Sequence, residues 1–214
     1  MFPGSLDDRG LERSLGLCGA DVRMIWHKDT RLPESLEGIA IPGGFSYGDY
    51  LRCGAMARFS PVMRAVVEFA ATGRPVLGVC NGFQILCEAG LLPGALVRNR
   101  ELKFVCADVK VVVEDPGDLG AELPPGRALV MPVKHGEGAY VPDPDHKPRV
   151  AFRYLGGSPN GSTEDIAGVT NAAGNVVGLM PHPEYAVEGL LGSTDGGVLL
   201  RSFLAACVAA RARR

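Results

Sequence analysis

Cys80 stands between two glycines in Gly78-Val79-Cys80-Asn81-Gly82, where an apolar run ends and a helical pattern begins. A thiol so placed suits nucleophilic chemistry. Glycine at 78 and 82 permits a turn too tight for a side chain, as in the strand-turn-helix elbow of hydrolases. The helix behind the turn aims unpaired N–H groups and its positive dipole end at the sulfur, favouring a thiolate over a thiol of ordinary pKa about 8.5. A buried structural cysteine is the competing reading, and the motif alone leaves both open.

A thiol nucleophile needs a base within hydrogen-bond reach and a group that fixes the base's tautomer. Of the four histidines, His182 sits in Met180-Pro181-His182-Pro183-Glu184. Residues i and i+2 of extended backbone point the same way, so Glu184 flanks His182, and the prolines stiffen the segment. A solvated His-Glu pair is the plain alternative. His135, in Lys134-His135-Gly136-Glu137-Gly138, is a candidate for lining a substrate pocket together with Gly136. His27 and His146 read as packing or surface residues. Backbone N–H donors for a developing oxyanion are expected from Asn81, directly after the cysteine, and from Gly44 in the Pro42-Gly43-Gly44 loop.

The elements that must position these residues follow from periodicity and punctuation. Pro75, Val76, Leu77 and Val79 read as a strand buried on both faces, and Phe83, Leu86 and Cys87 as the face of a helix ended by Gly90. Ser60 and Pro61 open a helix that Gly73 closes. An N-terminal helix is expected over 7–18, and strands over 21–26, 38–41, 104–113, 127–133, 149–154, 166–170 and 175–180. A last helix starts at Ser193 or Thr194. The strands over 104–113 and 127–133 either extend the sheet or form a side ribbon. The loop 141–148, with its prolines and charges, is expected at the surface.

A chain of 214 residues, 46% hydrophobic and 21% charged, suits one well-buried domain spanning 1–214. Its net charge of −2 gives no electrostatic footprint for nucleic acid or a membrane surface. No apolar run reaches the roughly 18 residues of a spanning helix. Six cysteines without CxxC pairing are too sparse for a disulfide scaffold, so a reducing cytoplasm is expected.

With Gly78-Val79-Cys80-Asn81-Gly82-Phe83-Gln84, the Pro42-Gly43-Gly44 loop and Pro181-His182-Pro183-Glu184, the sequence resembles class I glutamine amidotransferases. More narrowly it is similar to the glutaminase subunits of phosphoribosylformylglycinamidine synthase, the PurQ family, most specifically through GGFSYGDYLRCGA at 43–55. The resemblance implies an α/β fold: a doubly wound, mostly parallel, flavodoxin-like sheet. It implies Cys80 as nucleophile, His182 as base and then acid, Glu184 as orienting residue, and Gly44 and Asn81 as the oxyanion hole. It places Gln84 on the substrate amino acid. It implies hydrolysis of glutamine through a γ-glutamyl thioester, with ammonia passing to a large, PurL-type synthetase subunit that uses ATP and Mg. A small PurS-type subunit is expected to bridge the two. The sequence itself has no P-loop and no metal-ligand cluster, so no cofactor is expected in this chain.

Two departures from the family pattern carry expectations. The family has a strand ahead of Phe2-Pro3-Gly4-Ser5, and here only Met1 precedes it. The first, central strand is therefore expected to be missing, its neighbours left with unpaired backbone, and the true start to lie upstream or the chain to be truncated. Leu6-Asp7 replaces the family's usual Asn-Cys, in a loop expected to lie outside the triad. The alternatives are an inactive regulatory or assembly module, another class I amidotransferase, or a cysteine hydrolase on the same elbow.

Overall fold

The computed structural model describes residues 1–212. Helix α1 (Asp8–Leu17) leads through a long irregular stretch to β1 (Ile39–Ile41), α2 (Pro61–Ala71), β2 (Val76–Val79) and α3 (Asn81–Glu88). Strands β3 (Ala95–Val97), β4 (Val105–Val113), β5 (Ala128–His135), β6 (Ala139–Val141), β7 (Arg149–Tyr154), β8 (Ile166–Thr170) and β9 (Val176–Leu179) follow, and α4 (Asp195–Ala212) closes the fold. Seven strands form one sheet in the order β1-β2-β9-β8-β7-β4-β5, while β3 pairs with β6.

The α/β class stands, with parallel pairing concentrated where the site lies. β1, β2 and β9 run parallel to one another. The other four pairings are antiparallel. The β8–β9 pair is a short hairpin, which needs no crossover helix. Between β8 and β9 the turn is built by Asn171, whose side-chain oxygen accepts from the N–H groups of Gly174 and Val176. Strands β4 and β5 thus extend the main sheet and do not form a side ribbon.

Every residue of β2, β8 and β9 is buried, matching their unbroken apolar character. Their side chains join Phe83, Leu86, Phe152, Met131, Leu199 and Phe203 in one continuous core. Helix α2 starts at Pro61 as expected, yet the Ser60 hydroxyl does not cap it. It contacts the Tyr47 hydroxyl at 2.8 Å, which in turn meets His27 Nδ1 at 2.7 Å. His27 is thus a buried packing residue, and His146 sits on the exposed loop beside Asp143.

The stretch 21–26, expected as a strand, takes no regular secondary structure and joins no sheet among the described residues. A cavity of about 480 Å³ separates it from β1, lined by Val22, Ile25, Ile39, Ile41, Leu15 and Phe203, among others. A strand requires a neighbouring ladder, and across this gap β1 offers none, so its only partner is β2.

Candidate active site

Three adjacent parallel strands end on the same edge of the sheet, where α/β folds place their ligands. β1 runs into Pro42-Gly43-Gly44, β2 into Cys80, and β9 into the Met180 to Glu184 segment. The elbow is tight for visible reasons. A methyl group on Gly82 would lie 2.1 Å from the Ile41 carbonyl oxygen, and one on Gly78 would lie 2.7 Å from the Gly82 oxygen. Cys80 itself is held at φ 50°, ψ −105°. Such a conformation costs a non-glycine residue roughly 1–3 kcal/mol and marks functional turns. Hydrogen bonds from Cys80 N–H to the Leu179 oxygen (2.8 Å) and from Gln84 N–H to the Cys80 oxygen (3.2 Å) secure it.

His182 and Glu184 meet, although Pro183–Tyr185 forms a 3-10 turn and not the extended backbone expected: Nδ1 lies 2.7 Å from Glu184 Oε1, with both side chains fully buried. Two distant elements fix the segment. His182 N–H donates to the Pro132 oxygen on edge strand β5 at 2.8 Å, and the Ser14 hydroxyl of α1 donates to the Glu184 backbone oxygen at 2.8 Å. With Nδ1 committed to Glu184, Nε2 has no hydrogen bond among the described residues. Gly43 marks where the parts converge. A methyl group there would sit 2.9 Å from His182 Cε1 and 3.4 Å from Cys80 Cβ.

Burial alone would push the His182 imidazole down, but Glu184 and Cys80 outweigh it and raise the ring to about 10. The ring is therefore held as the imidazolium, with the Glu184 carboxyl 2.7 Å from its Nδ1. Glu184 Oε2 has no hydrogen-bond partner among the described residues, so the imidazolium is the charge that compensates this buried carboxyl group. A second cysteine, Cys53, lines the same pocket. Burial, with Asp49 and Glu137 as hydrogen-bonding and charged neighbours, pushes its thiol far up. It stays protonated and unreactive.

Cys80, Gly44, Gln84, His135, Gly136, Glu137 and Lys134 line a pocket of about 200 Å³. That is below the roughly 300–1,000 Å³ of drug-sized sites and suits a single amino acid. Gln84 Nε2 donates to the Glu137 oxygen at 2.5 Å, while its Oε1 accepts from Asn81 Nδ2 at 2.8 Å. Asn81 Oδ1 accepts from Ser46 N–H at 3.1 Å, tying the elbow to the glycine loop. His135 contributes to the pocket wall, yet its ring is buried on Asn99 Oδ1 (3.1 Å) and Asn160 Nδ2 (3.4 Å). Burial and then the nearby His182 push it down to about 4, so it is neutral.

One neighbour of the triad has no signal in local sequence. Asp7, expected outside the triad, is buried with Oδ2 3.9 Å from His182 Nδ1. Lys134 Nζ lies 2.5 Å from its Oδ1. Asp7, His182 and Glu184 bring potential metal-ligand atoms within 4.8 Å of one another. Lys134 and the imidazolium already supply positive charge to that group, so the donor set is a poor fit for an added cation.

Residues 2–195 match the CobB/CobQ-like glutamine amidotransferase domain. The chain is 51% identical over 220 residues to the phosphoribosylformylglycinamidine synthase subunit PurQ of Streptomyces avermitilis, covering 95% of this chain and 94% of that one. It is 54% identical over 204 residues to the PurQ subunit of Synechococcus elongatus, covering 92% and 91% of the two chains. Among solved structures, a chain of PurLQS from Thermotoga maritima superposes with a TM-score of 0.90 at 41% identity, covering 96% of this chain and 95% of that one. A strand-turn-helix cysteine facing a buried His-x-Glu pair, repeated likeness along nearly the whole length and a shared fold lead to one conclusion: the chain belongs to the PurQ family of phosphoribosylformylglycinamidine synthase subunits, and it is a glutamine amidotransferase.

Proposed function

We propose that this single domain hydrolyses glutamine at Cys80 and delivers the ammonia to a synthetase subunit. The observation that carries this reading is the Cys80 elbow, which lines a pocket sized for one amino acid and meets the buried His182–Glu184 pair at Gly43. The Cys80 thiolate attacks the side-chain amide carbon of glutamine, forming the C–S bond and pushing charge onto the carbonyl oxygen. The backbone N–H groups of Gly44 and Asn81 receive that oxyanion. His182 then gives its Nε2 proton to the amide nitrogen as the C–N bond breaks, and ammonia leaves. The neutral imidazole next takes a proton from water, which adds to the thioester. The C–S bond breaks, releasing glutamate and restoring the thiolate. Glu184 keeps Nδ1 protonated and the ring aimed throughout. Gln84, His135 and Gly136 bind the substrate amino acid.

The Thermotoga maritima relative is part of a PurLQS structure. By analogy this chain works with a PurL-type synthetase subunit and a PurS-type small subunit, with ATP and Mg held by the synthetase and no cofactor of its own. No helix among the described residues is long and apolar enough to cross a membrane, which suits work in the cytoplasm. Nucleic acid and membranes have no part in it. Ammonia release from glutamine, measured with and without the synthetase subunit, tests the reading. Cys80→Ala abolishes release with the melting temperature preserved. Release by that variant at the wild-type rate overturns the role of Cys80.

A further inference from the structure

Asp7 immediately precedes α1, where an aspartate ordinarily caps the helix, yet its side chain makes no capping hydrogen bond. It turns inward. Oδ1 accepts from Lys134 Nζ at 2.5 Å and from the Tyr185 hydroxyl at 2.8 Å. Oδ2 is left 3.9 Å from His182 Nδ1. The Lys134 ammonium also lies 4.2 Å from the centre of the Tyr185 ring. Three separate parts of the chain thus meet at the imidazole: the entry to α1, the end of β5 and the loop after β9.

His182 consequently has two carboxylates within 4 Å, Glu184 and Asp7. Each negative charge stabilises the imidazolium. Two uncompensated ones would hold the proton too firmly for a group that must release it to a leaving nitrogen. Lys134 answers that problem, because its ammonium neutralises Asp7 at closer range than Asp7 reaches the histidine. The groups facing His182 are then Cys80 from the elbow, Glu184 and Tyr185 from its own loop, Asp7, and His135 from β5, with Lys134 behind them on Asp7.

We propose that Asp7 and Lys134 are a charge-compensated pair of positioning residues that sets the proton affinity of His182, and through it that of Cys80. Asp7 buttresses the imidazole beside Glu184, and Lys134 cancels the charge that this brings. The proposal rests on the catalytic reading of His182. It makes signed forecasts. Asp7→Asn leaves the Lys134 charge uncompensated and moves both limbs of the pH profile to lower pH. Lys134→Met leaves the Asp7 charge uncompensated and moves both limbs up. Each shift is roughly one pH unit, the lower end expected for a charge within about 4–6 Å. The double variant returns both limbs to the wild-type positions.

The experiment is the pH dependence of kcat/KM and kcat for ammonia release from glutamine by the assembled complex, for wild type, both single variants and the double. Shifts of opposite sign that cancel in the double support the pair. Unmoved limbs, or shifts of the same sign, overturn it. A loss confined to KM in Lys134→Met also overturns it, because the lysine is then a ligand for the substrate. Either single decides if the other fails to fold, and Lys134→Arg, which keeps the charge, leaves the limbs in place. His182→Ala separates the two levels of the argument. Full activity in that variant refutes the catalytic reading itself, whereas an inactive His182→Ala with unmoved limbs in the pair variants refutes the pair alone.

Discussion

Gly43→Ala probes the point on which the site converges. The backbone of Gly43 lies outside the left-handed region, so alanine brings a methyl group without backbone strain. That methyl would lie 2.6 Å from Asp7 Oδ2 and 2.9 Å from His182 Cε1. Restoring ordinary contacts of roughly 3.5 Å moves these groups by about 0.9 and 0.6 Å. Misplacement of about 1 Å in a catalytic constellation costs on the order of 10²-fold, so kcat/KM for glutamine falls by about two orders of magnitude. Overpacking costs about 1–3 kcal/mol, and at roughly 2–4 °C per kcal/mol the melting temperature drops by several degrees. The assay is ammonia release by the assembled complex beside a thermal melt of the same preparation. Activity within threefold of wild type, with an unshifted melt, refutes the convergence of Asp7, His182 and Cys80 on Gly43.

Two further predictions follow from the charges. Glu184→Gln removes the carboxylate 2.7 Å from His182 Nδ1, so kcat falls by about 10³–10⁴ and the basic limb moves to lower pH; an unchanged limb contradicts the orienting role. His135, pushed down to about 4 from an ordinary 6.5, is neutral when folded while the unfolded chain binds its proton below pH 6.5. Stability is thus present above pH 6.5 and lost as pH falls toward 4, by about 3 kcal/mol in all. Denaturant titrations between pH 4 and 7 show a slope that His135→Gln flattens, and an equal slope in that variant refutes the assignment.

The Cys80 turn and the His182–Glu184 contact were legible in the sequence as local patterns: glycines that a turn requires, and two residues two apart in a proline-stiffened segment, which meet across a short 3-10 turn and not along extended backbone. The glycines prove indispensable for that reason, with Gly82 against the Ile41 backbone. What depends on distant partners was not legible. The stretch 21–26 has strand-like composition but no ladder to join. Apolar runs announced β7, β8 and β9 but not the antiparallel direction in which β7 and β8 pair. Asp7 was expected outside the triad, and only the fold brings it to Lys134 and His182. Cys53 shows the converse: it shares the pocket with Cys80, and burial together with its acidic neighbours Asp49 and Glu137, not sequence pattern, holds its thiol far up.

The central claim is that Cys80 carries the glutamyl group. The direct measurement is mass spectrometry of the complex quenched in acid during turnover of glutamine, followed by peptide mapping. The account predicts one γ-glutamyl adduct, on the peptide that contains Cys80, and none on Cys53. An adduct on another cysteine, or continued ammonia release by Cys80→Ala, would contradict it.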